Sequence, residues 1–414
     1  LLSEIHNKAI IQGVIVLNQT DIVSNNRWSV LFWNTIAYLY DSLALITLSI
    51  CIPFIIEEMN ISLSQSGLLS SATMIGGAFG AIFFGKMANK LGNKKAIVWA
   101  LIECGVFTVF VYFAKSFESL LLLRFLAGIG IGGVWGPCVA MVSESWDAKN
   151  RSWAISFVLS SFAMGSILAS FLGAHLLSQF NWRVFFMISA TSIIAGLLFY
   201  YFGPEDNTGT KRKETKRKAV TLKDLFLNNI FKITIPATMI AFFYMSGFWG
   251  LNSWVTTFLV QERGFDINKM GIWNMMIYIG MLAGYSLCGL LSNYLGRKRT
   301  LFLCFFVSAL NIPFYILCKN PDILFWFSPL MGFWFGGLAG LQGVYYSELY
   351  PQEIRALGGG FCFNMGRAGA VIAPYVVGFL ADYKGLTIGM GTVSLFFLLG
   401  CFMLLLLPET YKRR

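Results

Sequence analysis

From about residue 29 to residue 407 the chain is a succession of apolar runs, each ended by charged or turn-rich residues. A helix needs about 20 largely apolar residues to cross the hydrocarbon of a bilayer. Twelve stretches qualify: roughly 29–56, 65–86, 95–114, 119–142, 152–178, 182–203, 230–260, 268–292, 299–318, 322–346, 357–381 and 386–407. Only helices and closed barrels satisfy every backbone polar group in lipid, and these runs are too long and continuous for barrel strands. The expected fold is an all-α membrane protein with twelve transmembrane helices. Composition agrees, because charged residues make up only 12% of the chain, about half the share of a soluble globular protein. The 39 Phe and 12 Trp exceed what one soluble core holds, whereas a bilayer solvates apolar side chains on the outside of a fold. Residues 1–28 carry only a short apolar run, Ala9 to Leu17, broken by Gln12 and Gly13. They read as a soluble or interfacial tail, and the opening Leu1 points to an unusual start or a trimmed chain.

The basic residues orient the spans. With the N-terminus inside, the inner segments hold Lys86, Lys90, Lys94, Lys95, Lys149, Arg151, Arg297, Lys298, Arg299, Lys412, Arg413 and Arg414. The stretch after the sixth span adds Lys211, Arg212, Lys213, Lys216, Arg217, Lys218 and Lys223, while the outer loops hold only Lys115, Arg183, Arg263, Lys269, Lys319 and Lys384. Cytoplasmic loops collect Lys and Arg, so both termini and the central loop are expected in the cytoplasm of a cell that keeps the protein in its inner membrane. The same bias accounts for the net charge of +11 without a nucleic-acid partner. The eight Cys lie in apolar runs without metal-ligand spacing, and there are only two His, so no metal and no cofactor are expected.

A repeat divides the chain. Gly85, Asn89, Leu91, Gly92, Lys94 and Lys95 follow the second span, and Gly289, Asn293, Leu295, Gly296, Lys298 and Arg299 follow the eighth at an offset of 204. The same offset maps Ser143, Glu144 and Arg151 onto Ser347, Glu348 and Arg355, and Gly128, Gly132 and Gly133 onto Gly332, Gly336 and Gly337. The chain therefore reads as two six-helix units, 29–203 and 230–408, joined by a basic linker over 204–229 and ending in a tail over 409–414. Two similar bundles facing each other enclose a cavity near the bilayer midplane, and rocking one against the other alternates its exposure. Gly85, Asn89, Gly92, Gly289, Asn293 and Gly296 are expected to serve gating, with Glu144, Arg151, Glu348 and Arg355 as an inner-face latch reaching the facing half. Ordinary positive-inside anchoring is the alternative for any one of the cations.

At this point the sequence resembles a known family. Gly85–Lys95 and Gly289–Arg299 resemble the signature loop of the major facilitator superfamily, and Arg124-Phe-Leu-Ala-Gly128-Ile-Gly130-Ile-Gly132-Gly133 resembles its fourth-helix motif. Glu348-Leu-Tyr-Pro351-Gln-Glu-Ile-Arg355 and Leu407-Pro408-Glu409-Thr410 resemble the sugar-porter and organic-acid branches. The signature loop usually has Asp where this chain has Asn89 and Asn293, so a latch resting on that carboxylate is neutral here. The glutamine and tyrosine pattern of sugar porters is absent around Tyr244–Trp254, and Ser161–Gly173 lacks the prolines of drug antiporters. What remains resembles proton-coupled symporters of aromatic acids, sialic acid and related metabolites. Their first helix carries Asp-Gly-x-Asp, of which Tyr38-Leu-Tyr-Asp41 keeps the last Asp.

Ionisable residues near mid-bilayer are costly and mark function. Asp41 falls about halfway along the first span, Arg367 near the middle of the eleventh, and Arg124 about one turn inside the fourth. None is repeated at the offset, where they meet Met245, Ala163 and Ser328, which suits an asymmetric substrate path. The resemblance implies that spans 1, 4, 7 and 10 line the cavity, with Asp41 and Arg124 facing it. Asp41 is the candidate proton carrier, or else a carboxylate permanently paired with an arginine. Arg124 and Arg367 are candidates to hold a substrate carboxylate, a guanidinium being suited to bidentate contact; snorkelling or pairing are their alternatives. Trp249, Asn252, Trp254 and Gln342 are candidate wall residues for a partly apolar solute. Glu103 reads as a packing residue of a peripheral helix, and the ladder Ser161, Gly165, Ala169, Gly173 as a close-packing face. No nucleotide-binding loop or catalytic dyad is legible, so an enzyme is not expected. The reading is a secondary active transporter for proton-coupled uptake of a small organic anion or zwitterion, working as a monomer. An amino-acid or sugar carrier, an exporter, and a non-transporting metabolite sensor are the alternatives.

Overall fold

A computed structural model describes residues 2–147, 150–206, 222–227 and 229–411, with side chains from position 26 onward except at 356. The basic stretch 211–218, Lys149 and the last three residues lie outside the described residues. Among the described residues, twelve helices are long and apolar enough to cross a membrane: α1 Asn26–Met59, α2 Leu63–Leu91, α3 Asn93–Phe113, α4 Phe117–Ser145, α5 Arg151–Leu176, α6 Trp182–Phe202, α7 Phe231–Gln261, α8 Ile267–Leu295, α9 Arg297–Leu317, α10 Pro321–Leu349, α11 Leu357–Lys384 and α12 Leu386–Leu405. The backbone of α1 continues N-terminally as helix to Leu2, where the sequence reads as a tail. No strand occurs among the described residues.

Polar caps set the starts of several helices. Ser62 accepts the Gln65 N–H at 3.1 Å while the Gln65 side chain accepts the Ser62 N–H at 2.9 Å, a reciprocal box that opens α2. Asp266 caps α8 through the Lys269 N–H at 2.8 Å, and Asn320 caps α10. Between α2 and α3, and between α8 and α9, the chain turns at Gly92 and Gly296, with φ of 97° and 98°. A β-carbon is strained at such angles, which explains the glycine at both copies.

The sequence repeat is also a packing repeat. Gly76 of α2 lies against the Phe125 carbonyl of α4, and Gly280 of α8 lies against the Pro329 carbonyl of α10. Gly80 with Ile129 corresponds in the same way to Gly284 with Phe333. Every partner is 204 positions from its counterpart, so the two halves use one helix register. A side chain at these glycines would push the paired helices apart. The ladder on α5 faces α1, where Gly165 meets the Leu39 carbonyl and Gly173 meets Ile50.

The halves meet along α1 with α7, α2 with α11, and α5 with α8. Ser49 donates to the Asn252 carbonyl, and Thr256 donates to the Ser49 carbonyl at 2.6 Å. Ser71 donates to the Val371 carbonyl at 2.6 Å, and Asn274 donates to Ser170 at 2.9 Å. Asp382 at the end of α11 accepts the Leu63 and Ser64 N–H groups at 2.9 Å and the Ser64 hydroxyl. These hydrogen bonds joining the halves lie between mid-membrane and the side where α1 ends and α2 begins. We call this the distal side, and the opposite one the terminal side. The molecule is sealed distally.

Candidate functional site

Helical spacing gathers the site from both halves. On α1, Tyr38, Asp41 and Leu45 share one face, and on α11, Phe363, Arg367 and Ala370 share another. With Trp135 of α4, Phe162 of α5 and Met245 and Trp249 of α7 they line a deep chamber under the distal seal. A wider chamber adjoins it toward the terminal side, lined by Tyr244, Phe248, Tyr285, Gln342, Tyr346 and the exposed Asn364. Tyr38, Trp135, Phe162, Met245, Trp249 and Phe363 belong to both and form the junction. Aromatic walls with a few polar groups suit small organic ligands.

Charge enters the chamber at two points. Asp41 is only 7% exposed, and its Oδ1 atom has no hydrogen-bond partner. Arg367 lines the same chamber from the other half and acts on Asp41 electrostatically. The Arg367 guanidinium lies 5.9 Å from the ring centre of Trp135 and 5.7 Å from that of Phe363. Those two rings, one from each half, are stacked with centres 5.3 Å apart and planes 16° apart. In the wide chamber Gln342 is 2% exposed; its Oε1 accepts from Tyr346 at 3.3 Å, while its Nε2 donor has no partner. Buried polar atoms are normally satisfied, so Asp41 and Gln342, which line the chambers, each carry an unmet hydrogen-bonding atom. Trp249 lines both chambers.

Arg124 and Trp254 lie elsewhere, and Asn252 lines a small pocket that adjoins the deep chamber at Leu45, Thr73, Met74 and Trp249. Arg124 does not face the cavity in this conformation: it is completely buried inside the N-terminal bundle, with its guanidinium 5.4 Å from the Phe186 ring of α6. Cys51 of α1 and Cys104 of α3 are its electrostatic neighbours, and none of its side-chain nitrogens has a hydrogen-bond partner. Trp254 is also fully buried and donates from Nε1 to the Pro374 carbonyl at 2.9 Å, pinning α7 to α11. Asn252 belongs to the distal seal: its Oδ1 accepts from Tyr278 at 2.6 Å, and its side-chain amide donates to the Phe248 carbonyl. Glu103 stands on α3 beside Gly130 of α4, away from the chambers.

The contacts that the described residues show for the expected latch lie within each half. In the C-terminal half Arg297 pairs with Glu348 at 3.4 Å and donates to Asn293 at 2.9 Å, while Thr410 donates to the second Glu348 oxygen at 2.6 Å. In the N-terminal half Asn93 donates to Glu144 at 3.4 Å, and Arg151 donates to the Trp146 carbonyl at 3.3 Å. Asn89 and Arg355 are exposed, and Gly85 and Gly289 face open space. Carboxylates cap the following helices in both halves. Asp206 accepts the Asn93 and Lys94 N–H groups at 3.1 and 3.2 Å beneath Gly92, and Glu409 accepts those of Arg297 and Lys298 at 2.8 and 3.2 Å beneath Gly296. Negative charge is favourable at a helix N-terminus. Burial raises the Asp206 carboxyl above its ordinary range; at Glu409 burial is outweighed by backbone N–H donors, which hold it below.

Sequence reasoning missed Trp135 and Phe363. The signal was present: Phe363 is one turn from Arg367, and the offset carries Trp135 to Ala339 and Phe363 to Leu159, both of which also line the wide chamber. Leu45 likewise maps onto Trp249 and Asp41 onto Met245. The lining positions repeat while their chemistry does not.

Comparison with known proteins places this architecture. The cis,cis-muconate transport protein of Acinetobacter baylyi is 28% identical over 403 residues, covering 95% of this chain and 97% of that protein. The benzoate transport protein of the same organism is 26% identical over 394 residues, covering 86% of this chain and 84% of that protein. The crystal structure of a D-xylose-proton symporter shares the fold with a TM-score of 0.76 at 15% identity, covering 93% of this chain and 99% of that one. The sequence also matches the Major Facilitator Superfamily over residues 35–283 and 260–414, which together take in both bundles. Twelve spans, a repeat that is carried into the packing, and a cavity shared by the two halves are thus those of a multi-pass cell-membrane transporter, and the chain belongs to the Major Facilitator Superfamily.

Proposed function

We propose that this transporter takes up a small organic carboxylate together with protons by alternating access. The carrying observation is the deep chamber in which Asp41, with an unpartnered oxygen, and Arg367 stand on opposite halves amid aromatic rings. Arg367 holds the substrate carboxylate, Asp41 carries the proton, and Trp249 and Gln342 contact the remainder of the solute. The muconate and benzoate carriers among the relatives support a carboxylate. The Lys and Arg distribution supports cytoplasmic termini, so the terminal side is the cytoplasmic one. One copy encloses both chambers, in keeping with a monomer.

A zwitterion is the second reading, favoured by the presence of both charge signs in one chamber. Scintillation-proximity binding of radiolabelled benzoate or cis,cis-muconate to the purified protein tests the assignment. Hydrogen bonds to a charged group contribute about 1.5–3 kcal/mol, so Arg367→Ala should weaken binding at least about tenfold, with partial recovery in Arg367→Lys. Unchanged affinity in Arg367→Ala would remove Arg367 from the site. Displacement by amino acids but not by simple carboxylates would favour the zwitterion.

A further inference from the structure

We infer that Trp135 and Phe363 form a slot that selects flat, conjugated carboxylates over saturated ones of similar size. The inference rests on the carboxylate reading above and concerns what the rest of the solute must be. Trp135 belongs to α4 and Phe363 to α11, so the stack is made by one ring from each half. Both rings line both chambers, which puts the stack at their junction rather than in a wall. Arg367 is nearly equidistant from the two ring centres, at 5.9 and 5.7 Å. Its guanidinium therefore sits beside the stack, not over one face alone.

This arrangement describes a recognition site in its closed form. A planar group entering between the rings lies against two π faces and directs its carboxylate to the guanidinium at the edge. Carbon atoms in contact are about 3.5 Å apart, so an inserted ring needs its neighbours about 7 Å apart. The ring centres are now 5.3 Å apart in a stacked pair, so α4 and α11 must part for a planar group to enter. The hydrogen bonds named above that join the halves lie distal to this level. A puckered saturated ring is thicker and offers no π face, so it gains neither the fit nor the stacking. Aromatic pairing beyond simple area burial favours the conjugated ligand by about three- to tenfold.

Benzoate and cyclohexanecarboxylate separate these effects, because both are ionised at neutral pH and present the same carboxylate to Arg367. The experiment measures the affinity of each for wild-type protein and for Trp135→Phe, Trp135→Leu and Phe363→Leu in proteoliposomes. Wild type and Trp135→Phe should prefer benzoate by at least threefold, and each leucine variant should bring the ratio close to one. Retained binding of cyclohexanecarboxylate shows that a leucine variant is folded. Equal affinities in wild type, or a preference that survives in both leucine variants, would overturn the slot while leaving the carboxylate reading in place. Absence of binding by both compounds to wild type would overturn the slot and the carboxylate reading together.

Discussion

Asp382 is the most consequential side chain outside the cavity. Its carboxylate crosses from α11 to the N-terminus of α2 and accepts two backbone N–H groups at 2.9 Å together with the Ser64 hydroxyl. These bonds join the two halves, so they exist only while the distal side is closed, and their loss acts on the conformational equilibrium rather than on the folding of either bundle. Asp382→Asn keeps an acceptor but removes the charge from the helix terminus. That costs about 1 kcal/mol at an exposed site, or about fivefold in the ratio of distally closed to distally open molecules. Asp382→Ala removes the cap altogether, at about 1–2 kcal/mol and five- to thirtyfold. Spin labels at the exposed distal positions Ser178 and Glu262, one on each half, report the equilibrium by double electron–electron resonance. Cys318 is replaced by Ser to avoid stray labelling, since the other seven cysteines are buried. The long-distance population should grow in the order wild type, Asn, Ala. Identical distributions in all three would refute the argument that this cap holds the distal side shut.

Two further predictions concern the repeat and its caps. Gly280→Ala places a β-carbon against the Pro329 carbonyl and should cost about 1–3 kcal/mol through separation of α8 from α10, read as a lower melting temperature; its counterpart Gly76→Ala should do the same against Phe125. Glu409 lies below its ordinary carboxyl value in the folded protein, so its stabilising contribution is present at neutral pH and disappears as pH falls through that lowered value. Glu409→Gln should therefore melt slightly below wild type at pH 7, and the two curves should converge in acid; a gap that persists would assign the effect to shape rather than charge.

The sequence made the helices legible because bilayer thickness leaves few choices for an apolar run of 20 or more residues. The offset of 204 was equally informative, since the residues it aligns, such as Gly128 with Gly332, are those at which helices touch. Side-chain direction was the harder problem. Arg124, Asn252 and Trp254 lie on spans expected to line the cavity, but a helix has several faces, and theirs turn into the bundle or the distal seal. Asp41 and Arg367 stand out in sequence because charge in an apolar run is conspicuous. Trp135 and Phe363 do not, because in a chain with 12 Trp and 39 Phe an aromatic residue carries little information by itself. The pairing of Asp206 and Glu409 with the loops after α2 and α8 depends on where α6 and α12 end, which hydropathy alone leaves uncertain by several residues.

The central claim is that Asp41 couples proton movement to carriage of a carboxylate. Uptake of radiolabelled benzoate or cis,cis-muconate into proteoliposomes under an imposed inward proton gradient, with Asp41→Asn measured beside wild type, tests it most directly. The account predicts gradient-driven accumulation by wild type; in the variant accumulation is lost, while exchange of labelled for unlabelled substrate across the membrane continues. Accumulation that survives in Asp41→Asn, or wild-type uptake indifferent to the gradient, would contradict it.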